Sequence, residues 1–364
     1  MSQLGLASKT LLFPYWLTLV IRNKLYDKGI LKGERFSIPV ISLGNITVGG
    51  TGKTPHTEMV VRELRGKYRL AVISRGYKRK SKGFHVVKVT DDFTLCGDEP
   101  LQIKKKFPEI IVAVCKDRNY AIHKVVEEMG ANLVILDDAY QYRKVIPSFN
   151  VLLVNYNKTI AGDNLLPIGH LRDLPSQVKR ADAVIITKSP DFSFFDGNLD
   201  DEKGLEITSE QEKIWRKSLK LREEQRLYFS TALYDAAQPV FGGICNVRYI
   251  YSKFAVAFTG IADDTLFRSQ LGATHKIEEI LKFKDHKNFS RSNIRSIEAM
   301  TQRQKEAAVI TTEKDSMRLK NNKYLSDQLK ERLFYLPIGS KIIPTVKKEE
   351  FLAAAVTPPQ KEEK

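Results

Sequence analysis

The sequence predicts an α/β protein: a parallel sheet around a phosphate loop of the P-loop NTPase type, a smaller C-terminal α/β unit, and one N-terminal helix. Three observations predict it. Short apolar runs alternate with polar stretches of helix length, the pattern of a parallel sheet covered on both faces. One of these runs feeds into Gly49-Gly50-Thr51-Gly52-Lys53-Thr54. A further set of strand-like runs follows a connection marked by Pro239 and Gly242-Gly243.

The helix comes first. Residues 11–21, LLFPYWLTLVI, are apolar except for Thr18. A spanning helix needs about 20 apolar residues, so this run is too short. Its basic residues (Arg22, Lys24, Lys28, Lys32, Arg35) follow the apolar run, the reverse of a signal peptide. Pro14 suits a first helical turn and Gly29 a C-terminal cap. With Tyr15, Trp16 and leucines at one end and cations at the other, the segment reads as an interfacial membrane anchor. A helix packed on its own protein or on a partner is the alternative.

Candidate strands follow at 39–43, 70–73, 110–114, 133–136, 151–154 and 183–187, with helix-length segments at 55–65 and 119–129. Residues 191–226 are polar and charge-rich and read as loop and surface helix. Residues 227–251 read as a connection into a second unit with strands at 255–258, 308–311 and 333–336. The expected boundaries are therefore 1–35 for the helix, 36–226 for the P-loop core, 227–253 for the connection, 254–350 for the C-terminal unit and 351–364 for a flexible tail.

Composition narrows the function. Of 364 residues, 42% are hydrophobic and 28% charged, a globular balance that excludes disordered and disulfide-scaffold classes. The net charge of +16 favours an anionic partner. Cys96, Cys115 and Cys245 lie far apart, which argues against a zinc cage or disulfide framework. The basic runs 78–80 and 104–106 are solvated faces or face anionic lipid. No aromatic residues interleave them, so nucleic acid is not the expected partner.

The phosphate loop is the strongest local signal. Its glycines let backbone N–H groups curl around phosphate oxygens, its lysine reaches the β- and γ-phosphates, and its threonine hydroxyl suits Mg²⁺. Thr47 stands where the strict pattern has a glycine. Thr47, Gly49, Gly50, Thr51, Gly52, Lys53 and Thr54 are thus the expected nucleotide-binding residues. A carboxylate delivered by a neighbouring strand should organise Mg²⁺ together with Thr54. Asp137-Asp138, at the end of the run 133–136, meets that need. No Asn-Lys-x-Asp run specifies guanine: Asn157-Lys158-Thr159 ends in Ile160, and Thr187-Lys188-Ser189 in Pro190. ATP is the expected nucleotide.

Further polar clusters fall where loop chemistry collects in open α/β sheets. They are Ser74-Arg75-Gly76-Tyr77, Gly97-Asp98-Glu99-Pro100, Asp117-Arg118, Asp138-Ala139-Tyr140-Gln141, Leu171-Arg172-Asp173, Phe283-Lys284-Asp285-His286 and Thr311-Thr312-Glu313-Lys314-Asp315. In this order around a variant P-loop, the chain resembles the tetraacyldisaccharide 4'-kinases, the lipid A 4'-kinases of Gram-negative bacteria. The resemblance runs from Ser42 to Arg318.

It implies transfer of the γ-phosphate of ATP, with Mg²⁺, to the 4'-hydroxyl of an anionic, tetraacylated glucosamine disaccharide 1-phosphate. The place implied is the cytoplasmic face of the inner membrane, with peripheral anchoring by the N-terminal helix. The family's catalytic aspartate matches Asp98 and its partner histidine His286. Arg75, Tyr77, Glu99, Arg118, Gln141, Arg172 and Asp173 match motif positions expected at the phosphates or the acceptor. Three positions depart from the family pattern: Asp173 replaces a glutamate, His170 a proline, and Lys287 a second histidine. Outside this resemblance His286 reads as an ordinary surface histidine, as do His56, His85, His123 and His275. A membrane-associated P-loop ATPase switch acting on a protein partner is the alternative function.

Overall fold

The computed structural model describes residues 6–190, 201–285 and 287–357. Its first sheet is organised about β1 (Val40–Gly44), whose five residues are all buried. From β1 the chain moves outward to β2 (Leu70–Ser74), β3 (His85–Val86) and β4 (Ile111–Val114). It then returns to lay β5 (Leu133–Asp137) between β1 and β2, and continues on the other side of β1 with β6 (Phe149–Asn155), β7 (Ala183–Thr187) and β8 (Arg226–Tyr234). All these pairings are parallel except β3 with β4. The order in which strands are added therefore reverses at β1, and such a switch point opens a crevice at the carboxyl edge.

The second sheet holds β9 (Gln238–Pro239), β10 (Phe254–Thr259), β11 (Lys276–Lys282), β12 (Ala308–Thr312) and β13 (Leu333–Leu336), in the order β11-β10-β12-β13-β9. The chain then re-enters the first sheet, where β14 (Ile338–Ile343) pairs antiparallel with β8. Nine strands of the described residues thus form the large sheet and five the small one. Each is an aliphatic layer covered by helices, as continuous Val/Ile/Leu runs require.

These sheets divide the chain differently from the expected boundaries. The run beginning at 227 reads as a connection because Pro239 and two glycines follow it. In the fold it is β8, and Leu227, Tyr228 and Phe229 are buried between β7 and β14. Residues 351–355 belong to the helix Val346–Ala355, with Phe351 buried against Phe149 and Tyr228. β11 and β14 give no sequence signal, since their runs, KIEEILK and IGSKII, mix charge and glycine into edge positions.

The N-terminal helix is longer than its apolar run, Leu6–Asp27, so Pro14 lies well inside it rather than in its first turn. Thr18 Oγ1 donates to the Pro14 carbonyl at 2.8 Å. Gly29 ends the helix in a left-handed conformation (φ 69°), and the next amide, of Ile30, donates back to the Leu25 carbonyl at 2.9 Å. One face packs on the large sheet through Leu12, Leu19 and Asn23, and the other exposes Phe13, Leu17 and Ile21. Among the described residues no helix is long and apolar enough to cross a membrane.

Candidate active site

The carboxyl edges of both sheets open on one cleft of about 640 Å³. From the large sheet come the segments after β1, β2, β4, β5, β6 and β7, and from the small sheet those after β10, β11 and β12. Thr47, Gly49 to Thr54, Arg75, Tyr77, Glu99, Arg118, Asp138, Gln141 and Arg172 all line it, so one space gathers most of the residues the sequence singles out.

The loop from Asn45 to Gly52 is pinned before any ligand arrives. Gly49 (φ 98°) and Gly52 (φ 79°) adopt backbone angles that L side chains rarely take, which fixes the need for glycine at both. Asn45 Nδ2 donates to Thr51 Oγ1 at 2.7 Å, and the Val48 amide donates to the His170 carbonyl at 2.7 Å. The helix Lys53–Leu64 follows at once and turns its amide end to the cleft. Thr47 pairs with Leu171 as an isolated bridge, so a side chain is tolerated where the strict pattern has glycine.

His56 corrects the surface reading. It is buried, with Nδ1 2.7 Å from the Gly52 carbonyl and Nε2 2.7 Å from Ser230 Oγ on β8. A carbonyl only accepts, so Nδ1 carries the proton and Ser230 donates to Nε2. Burial pushes its pKa down to about 4, keeping it neutral. No sequence pattern marks it.

The two aspartates after β5 separate. Asp137 is buried behind the cleft and accepts from Thr57 Oγ1 at 2.9 Å, tying β5 to the P-loop helix. Burial, with Glu99 and Asp138 nearby, pushes its pKa up to about 7. Asp138 has a left-handed backbone (φ 49°) that turns its carboxylate into the cleft. There it meets Arg172 Nη2 at 2.9 Å and Lys53 Nζ at 3.8 Å. Burial works to raise the Asp138 pKa, but Lys53 and Arg172 hold its carboxyl below the usual range.

Asp98 begins the helix Asp98–Lys106 and is buried. Arg318, from the helix Glu313–Leu319 that follows β12, donates to Asp98 Oδ2 through Nε at 3.0 Å and through Nη2. Its Nη1 donates to Asp315 Oδ1 at 2.8 Å. The same two helices are joined by Lys314 on Glu99 at 3.0 Å and by Lys106 between Glu58 and Glu313. Asp98 faces a second cavity of about 400 Å³, which also holds Lys78, Lys80, Lys284 and Lys287 and shares Tyr77 and Asp285 with the first. His286 lies outside the described residues.

Arg118 is buried and stacked on Tyr142, its guanidinium carbon 4.7 Å from the ring centre, and no carboxylate bonds it among the described residues. Gln141 Nε2 donates to the Asn45 carbonyl at 2.9 Å. Asp173 is not brought to the cleft. It is fully buried and accepts from Asn23 Nδ2 at 2.9 Å, fastening the N-terminal helix. Lys106 corrects the reading of the run 104–106 as a solvated or lipid-facing surface, since its ammonium lies between two buried carboxylates. Arg318 is a contributor the sequence reading did not single out, three residues past the Thr-Thr-Glu-Lys-Asp run, at helical spacing.

The family model for tetraacyldisaccharide-1-P 4'-kinase matches residues 8–357. A tetraacyldisaccharide 4'-kinase of Phocaeicola vulgatus is 40% identical over 326 residues, 87% of this chain and 85% of that protein. One of Flavobacterium johnsoniae is 40% identical over 340 residues, 92% of this chain and 93% of that one. The chain belongs to the tetraacyldisaccharide 4'-kinase family. The crystal structure of a family member, LpxK from Aquifex aeolicus in complex with ATP, superposes with a TM-score of 0.70 at 25% identity, covering 96% of this chain and 99% of that one.

Members of this family are ATP-dependent kinases, and the residues present fit a magnesium ion. Thr54 and Asp138 line the cleft, with Asp137 behind them. Burial first, and the Glu99 and Asp138 carboxylates second, raise the Asp137 pKa, and a cation in the cleft would offset the second of these causes. Among the described residues no three acidic or metal-binding side chains form a cage of their own. Mg²⁺ takes one or two carboxylates and completes its shell with phosphates and water, a need that Asp138 and Thr54 at the phosphate loop fit.

Proposed function

We propose that the protein transfers the γ-phosphoryl group of ATP to the 4'-hydroxyl of a tetraacylated glucosamine disaccharide 1-phosphate, at the cytoplasmic face of the inner membrane. The observation that carries this reading is the adjoining pair of cavities. One holds the phosphate loop with Lys53 and Asp138; the other holds Asp98 among lysines.

The adenine nucleotide takes the first cavity. Amides of Gly49 to Thr54 cradle its phosphates, Lys53 reaches the β- and γ-oxygens, and Arg118 and Arg75 supply further positive charge. Thr54 and Asp138 would hold Mg²⁺, with Asp137 supporting from behind; the ion, when bound, neutralises charge on the β- and γ-oxygens. The acceptor sugar takes the second cavity, where Lys78, Lys80, Lys284 and Lys287 suit its own phosphate and Tyr77 stands at the border.

A sugar hydroxyl is a poor nucleophile, and phosphoryl transfer depends chiefly on alignment and charge stabilisation. Arg318 holds Asp98 Oδ2 and the Glu99 amide donates to Oδ1 at 3.1 Å, so the carboxylate is fixed in direction at the border of the second cavity. There it is proposed to orient the hydroxyl and take its proton, with His286 assisting. The oxygen–phosphorus bond forms as the bond to ADP breaks, and the proton stays on Asp98. Glu99 and Gln141 position loops around this centre, and Asp173 acts through the N-terminal helix.

That helix is the proposed membrane contact. Phe13, Leu17 and Ile21 recur every four residues on its exposed face, and Lys24, Lys28, Lys32 and Arg35 are exposed beyond it.

The test is phosphate transfer from γ-labelled ATP to detergent-dispersed tetraacyl disaccharide 1-phosphate, resolved by thin-layer chromatography. A labelled lipid, lost in Asp98→Ala and His286→Ala while ATP binding persists, is expected. Slow ATP hydrolysis without labelled lipid would instead support the switch reading, which no feature of the site favours.

A further inference from the structure

The Thr187-Lys188-Ser189 run fails as a guanine motif, yet the fold places its lysine in the nucleotide cleft. Lys188 follows β7 directly and has a left-handed backbone (φ 58°). Of the four non-glycine residues with positive φ among the described residues, Asp138 and Lys188 line this cleft, each one residue past a parallel strand. Such a conformation costs about 1 kcal/mol or more and persists where the surroundings enforce it. The turn is enforced by Ser189, whose amide donates to the Ser230 carbonyl at 2.9 Å and whose hydroxyl donates to the Ile186 carbonyl at 2.8 Å.

The ammonium so placed has two neighbours. Among the described residues, and apart from Gly50's own chain neighbours, it is the one atom within 4 Å of the position a Cβ would take on Gly50, at 3.7 Å, so it stands against the phosphate loop itself. It also lies 3.5 Å from Asp263 Oδ2, contributed from across the cleft by the loop after β10. Asp263 is shared: Lys158 Nζ is likewise 3.5 Å from Oδ2, while Oδ1 accepts from the Thr265 hydroxyl at 2.8 Å. Both lysine contacts are long for charge-assisted bonds, which run about 2.7–2.9 Å. The Lys188 side chain is 15% exposed, and burial lowers its pKa. It is a mostly buried cation, loosely held, beside a loop shaped for phosphate.

We propose that Lys188 is a further nucleotide-binding cation of this cleft, beside Lys53, and that Asp263 holds it until the nucleotide's phosphates replace the carboxylate. The loop amides face the α- and β-phosphates. Gly50 lies among them, three residues ahead of Lys53, so Lys188 serves a part of the nucleotide that ATP and ADP share. The exchange gives the nucleotide a lysine already aimed at the loop. It also severs the Lys188–Asp263 tie between the two sheets, leaving the Asp263 carboxylate on Lys158.

The inference rests on the phosphate-loop reading, and titration calorimetry with ATP, ADP and AMP on the full-length protein separates the two. Lys188→Met is expected to weaken ATP and ADP to a similar extent, about tenfold or more, and AMP far less. Asp263→Asn is expected to tighten ATP and ADP severalfold in the wild-type background and to have no effect in the Lys188→Met background. Unchanged ATP and ADP affinity in a folded Lys188→Met protein would overturn the proposal. So would an Asp263→Asn effect that weakens binding or survives the loss of Lys188. Lys53→Met is the control. Loss of ATP affinity there, with Lys188→Met at wild-type affinity, removes Lys188 alone; retention of affinity in Lys53→Met removes the phosphate-loop reading itself.

Discussion

Arg318 and Asp98 lie 220 residues apart in sequence, yet the guanidinium holds one carboxylate oxygen with two of its donors while both side chains are buried. The pair joins the helix that opens with Asp98 to the helix that follows β12, so the small sheet's position sets the direction of the proposed base. Lysine keeps the charge but lacks the planar fork. Arg318→Lys should therefore lower kcat by more than about tenfold with little change in KM for ATP, because the nucleotide cavity does not include Arg318. Wild-type kcat in this variant would show that Asp98 is oriented by other contacts.

Three buried groups predict opposing pH slopes. Glu58 is pushed up to about 7 by burial and by Glu313, with which it shares the single ammonium of Lys106. Asp137 also lies at about 7. Unfolded, these carboxyls ionise near 4.5 and 3.8, so between those values and 7 the native state binds more protons and stability falls as pH rises. His56 acts in reverse: the unfolded chain protonates near 6.5 and the native state only at about 4, so its contribution is lost as pH falls through that interval. Urea unfolding from pH 4.5 to 8 without nucleotide should show both. Glu58→Gln and Asp137→Asn should each flatten the falling limb by up to about 1.4 kcal/mol per pH unit, and His56→Gln should remove the opposing limb. Slopes unchanged by all three would place these titrations elsewhere.

Gly44, the last residue of β1, predicts how tightly the loops are set. A Cβ there would meet the Tyr140 amide nitrogen at 2.7 Å and Tyr140 Cβ at 2.8 Å. Tyr140 is itself fixed, its hydroxyl donating to the Gln177 carbonyl at 2.7 Å. Gly44→Ala must displace the turn that carries Asp138 and is expected to cost about 1–3 kcal/mol of stability. Activity at a temperature where the variant is fully folded should fall as well, since Asp138 moves with the turn. A folded variant with undiminished kcat would mean that the turn tolerates the shift.

Much of this site is legible in the sequence because its residues sit at strand ends. β1, β2, β5 and β12 are β-branched runs, and each hands its chain to a short polar motif at the carboxyl edge of its own sheet. What escaped has physical reasons. β8 is apolar enough, but its neighbour β14 arrives from more than 100 residues later, so nothing local marks it as a strand. His56 is hidden by helix periodicity: one turn past Gly52, its ring serves that residue's carbonyl. Asp173 stands in a motif, but its carboxylate is spent on Asn23 and the Leu174 amide, so motif position and cleft position part company.

The N-terminal helix predicts a separation of folding from membrane contact. Leu12 and Leu19 are buried, Asn23 bonds Asp173, and Arg22 donates to the Gln141 carbonyl at 2.7 Å, so removing the whole helix would disturb the loop that carries Asp138. The exposed stripe of Phe13, Leu17 and Ile21 makes none of these contacts, at 52%, 37% and 49% exposure. A triple substitution Phe13→Ser, Leu17→Ser, Ile21→Ser should therefore leave the unfolding midpoint within a few degrees, because surface changes cost about 0.5 kcal/mol or less each. Sedimentation with vesicles rich in anionic lipid should fall steeply, since the stripe supplies the apolar part of the contact and the cations alone bind weakly at physiological salt. Transfer to a short-chain acceptor dispersed in detergent should persist in the same protein. Full sedimentation of the triple variant would move the membrane contact to the lysines around the second cavity.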